Sequence, residues 1–154
     1  MEKEKKIKLV IVSDTHRDNE RLKQVFHIEQ PADYFLHLGD SELQEVYIEP
    51  FFSIKGNCDH FTDYQKTAII ETPYGNIFMI HNLSQMTKDD KFLLDNDIKV
   101  VLFGHTHKRY LKKVNGVCYA NPGSLVYPRD GLNPSYLVIE LSLDKIDIFF
   151  KELD

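Results

Sequence analysis

Hydrophobic and polar positions along this chain change period several times. "IKLVIVSD" (7–14) is an apolar, β-branched segment ending in polar residues, which predicts a buried strand feeding a loop. Over "DNERLKQVFHIEQ" (18–30), Leu22, Val25, Phe26 and Ile28 fall near helical spacing, with Asp18 or Asn19 as N-cap and Pro31 just beyond the end. "ADYFLHLGD" (32–40) predicts a second short strand ending in Gly39 and Asp40. A short helix runs through Leu43, Val46 and Tyr47 before Pro50, and "FFSIKGN" (51–57) is a third strand. Strand, helix, strand, helix, strand implies a parallel sheet with helical crossovers.

The second half reads differently. "KTAIIETPYGNIFMIHN" (66–82) predicts two strands joined by a turn at 73–76, and "TKDDKFLLDND" (87–97) a helix with Thr87 as N-cap. "IKVVLFGHTH" (98–107) is a strand and a loop. "KRYLKKVNGVCYANPGS" (108–124) is a hairpin turning at Asn115 and Gly116. "SYLVIELSLDKIDIFFKEL" (135–153) closes with two alternating strands around Asp144 and Lys145. About ten strands and three helices imply an α/β fold, two mixed β-sheets packed as a sandwich flanked by helices. No repeat or linker divides the chain, so 1–154 reads as a single domain.

Composition narrows the function. The chain has 154 residues, 42% hydrophobic and 28% charged, as in an ordinary globular protein. A net charge of −5 argues against a nucleic-acid partner, which usually meets a basic excess. No apolar stretch approaches the roughly 20 residues that span a membrane, and no leader is evident, so a cytoplasmic location without membrane association is expected. In that compartment Cys58 and Cys118 are expected as free thiols. The oligomeric state stays open, a homodimer among the options.

The unusual polar residues fall at strand ends. Asp14 and His16 follow the first strand, Asp40 the second and Asn57 the third; His81 follows "NIFMI", and His105 and His107 follow "VVLF". The carboxyl ends of parallel strands line the ligand crevice of open α/β sheets. Asp14 with His16, and His105 with His107, are i, i+2 pairs that an extended segment points to one side. Gly39, Gly56 and Gly104 each precede a candidate ligand and would let the backbone turn. Singly, each motif is more often a turn or a satisfied histidine; together they form an imidazole, carboxylate and amide donor set. Such a set suits Mn, Fe, Ni or Zn better than Ca or Mg.

The series Asp14-Thr15-His16, Gly39-Asp40, Gly56-Asn57-Cys58-Asp59, His81, Gly104-His105-Thr106-His107 resembles the calcineurin-like metallophosphoesterases. Asn-Cys-Asp and "ANPGS" (120–124) are similar to the small prokaryotic YfcE-like phosphodiesterase branch. The resemblance implies two divalent metal ions, manganese first and nickel, iron or zinc as alternatives. Asp14, His16 and His107 would hold one, Asn57, His81 and His105 the other, and Asp40 would bridge them. It assigns Asp40, Asn57, His81 and Asp59 to the catalytic machinery, with Asp59 fixing a ligand imidazole. The chain departs from the family in having Asn82 and Leu83 where Gly-His often follows His81, and Cys58 where larger members carry a histidine.

Two divalent ions, two carboxylates and a bridging hydroxide leave about +1 on the cluster, enough to attract a small phosphate ester. The expected reaction is attack of that hydroxide on phosphorus, with diesters preferred over monoesters. His60, adjacent to this motif, reads as a surface histidine. The alternative is a non-catalytic metal-binding scaffold of the same fold acting through protein–protein interaction, as in the retromer subunit that resembles it.

Overall fold

In the computed structural model, which describes residues 5–153, the first apolar run is β1 (Ile7–Val12) at the centre of a sheet. It pairs in parallel with β2 (Tyr34–His37), which pairs with β3 (Phe52–Ser53), and antiparallel with β9 (Ser135–Ser142), which carries β10 (Lys145–Glu152). The second sheet runs β4 (Thr67–Ile70), β5 (Asn76–Ile80), β6 (Ile98–Leu102), β8 (Val117–Pro122) and β7 (Arg109–Val114). The expected sandwich of two mixed sheets, five strands each, is the observed fold.

Strand alternation explains the layers. Leu9, Ile11, Leu36, Leu137 and Ile139 face Ile77, Met79, Val100 and Leu102 across the sheet interface, all fully buried. The opposite faces of the same strands are also covered, which is why β1 reads as a continuous apolar run. Val10, Val12, Phe35 and Val138 pack under α1 (Asn19–Glu29) and α2 (Glu45–Ile48). Phe78, Val101 and Phe103 pack under α3 (Asp90–Asp95).

Several local expectations need correction. Asp18 caps α1, accepting from Arg21 N, but the buried stripe is Leu22, Val25, Phe26 and Glu29, and Ile28 is 58% exposed. Residue 28 lies one position off the i, i+3, i+4, i+7 face that 22, 25, 26 and 29 share. The second helix is a single turn, with Val46 and Tyr47 exposed and only Ile48 buried. Thr87 is not the cap of α3; the Asp89 carboxylate accepts from Phe92 N instead. The last hairpin turns at 143–144, and that at Asn115 and Gly116 stands as expected, both residues at positive φ.

The unforeseen Glu29, 2% exposed, ties α1 to the first sheet. Tyr136 Oη donates to its Oε2 at 2.6 Å, Lys151 Nζ at 3.1 Å, and Lys8 Nζ lies 3.2 Å from Oε1. Burial works against its charge, but Tyr136, Lys151 and Lys8 outweigh it and hold its pKa below the usual glutamate value. Its stabilising contribution is therefore complete above about pH 4.5 and is lost as pH falls through the lower folded value. Glu29→Gln should destabilise the chain by about 1–3 kcal/mol at neutral pH. Urea melts at pH 7 and pH 3.5 should show that gap shrinking at the lower pH; a constant gap would refute this account.

Candidate metal centre

The loops that follow β1, β2, β3, β5 and β6 meet at one edge of the sandwich, and all seven candidate ligands lie on them. Five of the seven, Asp14, His16, Asp40, His105 and His107, have positive φ. The i, i+2 pairs are thus turned rather than extended. Each such residue costs about 1 kcal/mol or more, a strain that concentrates at functional sites, and Asp, Asn and His bear it best.

The glycines serve the site in two ways. Gly39 turns the chain at φ +109°, as expected. Gly56 and Gly104 do not have positive φ; they are needed for space. A Cβ on Gly56 would overlap Asp40 Oδ1, and one on Gly104 would overlap the Ser13 hydroxyl and crowd Asp14 Oδ2.

Asp14 is fully buried. Its Oδ2 accepts from Ser13 Oγ at 2.5 Å and from His105 N at 3.0 Å. Its Oδ1 has no hydrogen-bond partner among the described residues, although His107 Nε2 lies at 3.3 Å and His81 Nε2 at 3.8 Å. Those rings are fixed from behind: His81 Nδ1 donates to Leu38 O at 2.8 Å and His107 Nδ1 to Tyr127 O at 2.7 Å. His16 Nδ1 meets Glu42 Oε2 at 3.0 Å, and its Nε2 stands 3.4 Å from His107 Nε2. Once neutral, His81 and His107 turn Nε2 lone pairs towards carboxylate oxygens, with His16 Nε2 beside them. A cation satisfies that arrangement, and the residues present fit a metal.

The donor atoms fall into overlapping groups: Asp14, His16 and His107; Asp14, Asp40 and His81; His16, Asp40 and Cys58. Asp40 belongs to two of these groups, and Asp14 does too. Asn57 Oδ1 lies 3.0 Å from His81 Nε2 and 3.1 Å from His105 Nδ1, so the amide, His81 and His105 also converge. His105 reaches Asn57 while its neighbour His107 reaches Asp14; the pair divides between the two halves.

Electrostatics follow from this crowding. Burial raises the pKa of Asp14, yet the nearby His107 and His81 rings and the Ser13 hydroxyl bring it below the ordinary value. Burial also opposes charge on Asp40, but His81 and the Cys58 N–H, donating to Oδ1 at 2.7 Å, bring its pKa down to about 2. The same carboxylates raise His81 against the effect of burial, and Asp14 raises His107. Cys58 is pushed up by burial and by Asp40, Glu42 and Asp59, so it stays a thiol.

Asp59 does not meet a ligand imidazole. Its carboxylate accepts the backbone N–H of Asp40 at 2.8 Å, Gly56 at 2.7 Å and Glu42 at 2.7 Å, clamping the loops that carry Asp40 and Asn57. His60 is exposed, as expected. Sequence reasoning missed Glu42, Ser13, His37 and the work of "ANPGS". His37 is fully buried with its pKa lowered to about 4 by burial, hence neutral. Gly39 N donates to its Nδ1 at 3.0 Å, so its Nε2–H donates to Thr15 Oγ1 at 2.9 Å, joining two ligand loops. A histidine inside the apolar run "YFLHL" was the available signal, since such a group must find partners. Asn121 Nδ2 donates to Gly104 O and Thr106 Oγ1, both at 3.1 Å, and Ser124 Oγ to Asp14 O at 2.9 Å, so this segment latches the ligand loops of both sheets.

Two clefts flank the centre. One of about 310 Å³ is lined by Arg17, Glu42, Leu43, Tyr47, Cys58 and Phe61, among others. The other, about 360 Å³, is lined by Lys55, Asn57, Lys66, His81, Asn82 and Gln85, among others. Asn82, one of the residues departing from the resembled pattern, accepts from Ser84 N and Oγ and caps the 3-10 turn Leu83–Gln85 in that second wall.

Comparison with known proteins agrees with this geometry. Residues 7–144 match the family described as the calcineurin-like phosphoesterase superfamily domain. "Probable metallophosphoesterase YsnB" of Bacillus subtilis is 28% identical over 150 residues, covering 92% of this chain and 89% of that protein. The fold superposes on a conserved uncharacterized protein of Streptococcus pneumoniae, a predicted phosphoesterase, with a TM-score of 0.85 at 24% identity, covering 96% of this chain and 90% of that one. It also superposes on the Yfce phosphoesterase of E. coli with a TM-score of 0.68 at 19% identity, covering 96% and 100%. With its family match running from the first strand into the final hairpin, and the family's ligand types gathered at one edge of two five-stranded sheets, the chain belongs to the calcineurin-like phosphoesterase superfamily.

Proposed function

We propose that this chain is a phosphodiesterase that uses two divalent metal ions, manganese first and nickel, iron or zinc as alternatives. It is read as one domain over residues 1–154, working in the cytoplasm on a small phosphate ester. No described helix is long and apolar enough to cross a membrane. The observation that carries the reading is the orphaned, buried Asp14 Oδ1 ringed by histidine Nε2 atoms.

Asp14, His16 and His107 would hold one ion and Asn57, His81 and His105 the other, with Asp40 between them. Bound there, two divalent ions supply a hydroxide near neutral pH and neutralise charge developing on phosphoryl oxygens. The chain's own part is to hold the donors. Leu38 O, Tyr127 O and Glu42 fix three imidazoles, and Asp59 fixes the turn that presents Asp40. Burial and the carboxylates of Asp40, Glu42 and Asp59 hold the Cys58 thiol above its ordinary pKa, which disfavours it as a nucleophile. A cleft on each side of the centre supports a diester, whose phosphorus carries two organic arms.

Elemental analysis of purified protein, with a screen of diesters, monoesters and cyclic nucleotides under Mn, Ni and Mg, tests this directly. Diester turnover is expected to exceed monoester turnover, and Asp40→Asn should lose metal and turnover together. Full activity in that variant would sink the mechanism; tight metal with no turnover of any ester would favour the scaffold. Asn57→Ala should lower kcat/KM by more than Cys58→Ala, and the reverse order would overturn the roles given to this segment. Apparent metal affinity should fall as pH falls through the raised pKa values of His81 and His107, above 6.5, because protons then compete for Nε2. Metal titrations between pH 6 and 8.5 check this, and a flat profile contradicts it.

A further inference from the structure

The cleft on the His16 and Asp40 side has walls that the fold does not explain. Tyr47 is 59% exposed and Phe61 is 91% exposed, and neither belongs to any of the three hydrophobic cores. Grouped exposed apolar side chains beside a site mark a binding surface. Cys58 lines the cleft, and its Sγ lies in one donor group with His16 and Asp40, which puts the cleft beside the metal centre. Arg17 lines it as well. Its side chain is 72% exposed and its Nε lies 4.0 Å from Glu42 Oε1, a contact loose enough to leave the guanidinium free for a phosphate oxygen.

Charge says what enters. Beyond Phe61 a second hollow of about 510 Å³ adjoins this cleft, sharing Gln44, Phe61 and Thr62 with it. Glu45, Glu49 and Asp63 line that hollow without a lysine or arginine. Such a wall repels a second phosphate and favours an uncharged group. The lysines, Lys55 and Lys66, line the cleft on the other side of the centre.

We propose that the cleft lined by Tyr47 and Phe61 is the subsite for a planar, uncharged aromatic arm of the ester, a nucleobase or an aryl group stacked on those rings. The ester phosphate then lies at the metal centre, within reach of Arg17. This deepens the phosphodiesterase reading and rests on it for the placement of the phosphate.

Calorimetric titration of the manganese-loaded protein with adenosine 5′-monophosphate and with ribose 5-phosphate tests the subsite, since the two differ only in the base. Stacking makes the nucleotide bind roughly 10-fold or more tightly. The double variant Tyr47→Ala, Phe61→Ala, both positions being exposed, should bring that ratio close to one and leave manganese and ribose 5-phosphate binding unchanged. Equal affinities in the parent protein overturn the proposal, as does failure of both to bind or a ratio the double variant preserves. A ratio that collapses in Lys66→Ala instead puts the base in the opposite cleft and also overturns it. Base preference without hydrolysis of any ester would leave the subsite standing and remove the phosphodiesterase reading. Diester hydrolysis without base preference would do the opposite.

Discussion

A carboxylate oxygen buried in protein needs a donor or a cation, and Asp14 Oδ1 has no hydrogen-bond donor among the described residues. Much of the upper edge of the sandwich is arranged around that requirement. Asp14 is placed by β1, the strand with neighbours on both sides and buried on both faces, so the carboxylate has little freedom to retreat. Ser13 and the His105 backbone satisfy its other oxygen, and Ser124 takes the Asp14 carbonyl. Asp14 is therefore one of the residues that tie the two sheets together at this edge: His105 follows β6 of one sheet while Asp14 follows β1 of the other. The neighbouring carboxylates raise the pKa values of His81 and His107. Metal ions would answer the same carboxylates with more charge at the same point.

The left-handed ligand residues follow from the same requirement. A strand leaving the sheet edge carries its side chains up and down, away from the axis of the sandwich. Bringing Asp14, His16, Asp40, His105 and His107 inward demands a reversal within one or two residues, and positive φ provides it. The strain is sustained by backbone hydrogen bonds between loops. Asp14 N donates to Gly39 O, His16 N to Asp40 O, and Gly104 N to His81 O, each ligand loop held by another. A loop lost from this set would loosen its neighbours, so the donors are presented as a unit.

Much of the fold was legible because its signals are local. The continuous apolar runs at 9–12 and 100–103 read as strands covered on both faces, and Asn115-Gly116 as a hairpin turn. The candidate ligands were legible because unlike donors recur at strand ends. The errors fall where a residue's role depends on something distant in sequence. Ile28 looked like core and Glu29 drew no notice, but Tyr136 and Lys151, more than 100 positions away, make Glu29 the better buried residue. Asp59 looked like an imidazole's partner because histidines were nearby in sequence, whereas backbone N–H groups of two turns reach it first. Glu42 was invisible for the same reason, and so was the partner of His37: His16 and Thr15 are reached only after β1 and β2 pair.

The charge balance resolves an apparent conflict between an acidic chain and an anionic substrate. A net −5 would repel a phosphate ester if the charge were spread evenly. The two carboxylates at the centre are instead buried, 0% and 2% exposed, and committed to a cation. Away from the centre the sides differ: lysines line one cleft, and acidic residues line the hollow beyond the other. On the proposed reading, an ester approaching this edge would meet positive charge at the bound ions and on one flank, and rings with carboxylates behind them on the other. That asymmetry would orient an unsymmetrical ester before any bond breaks, which is the difference between a site that merely attracts phosphate and one that selects among esters.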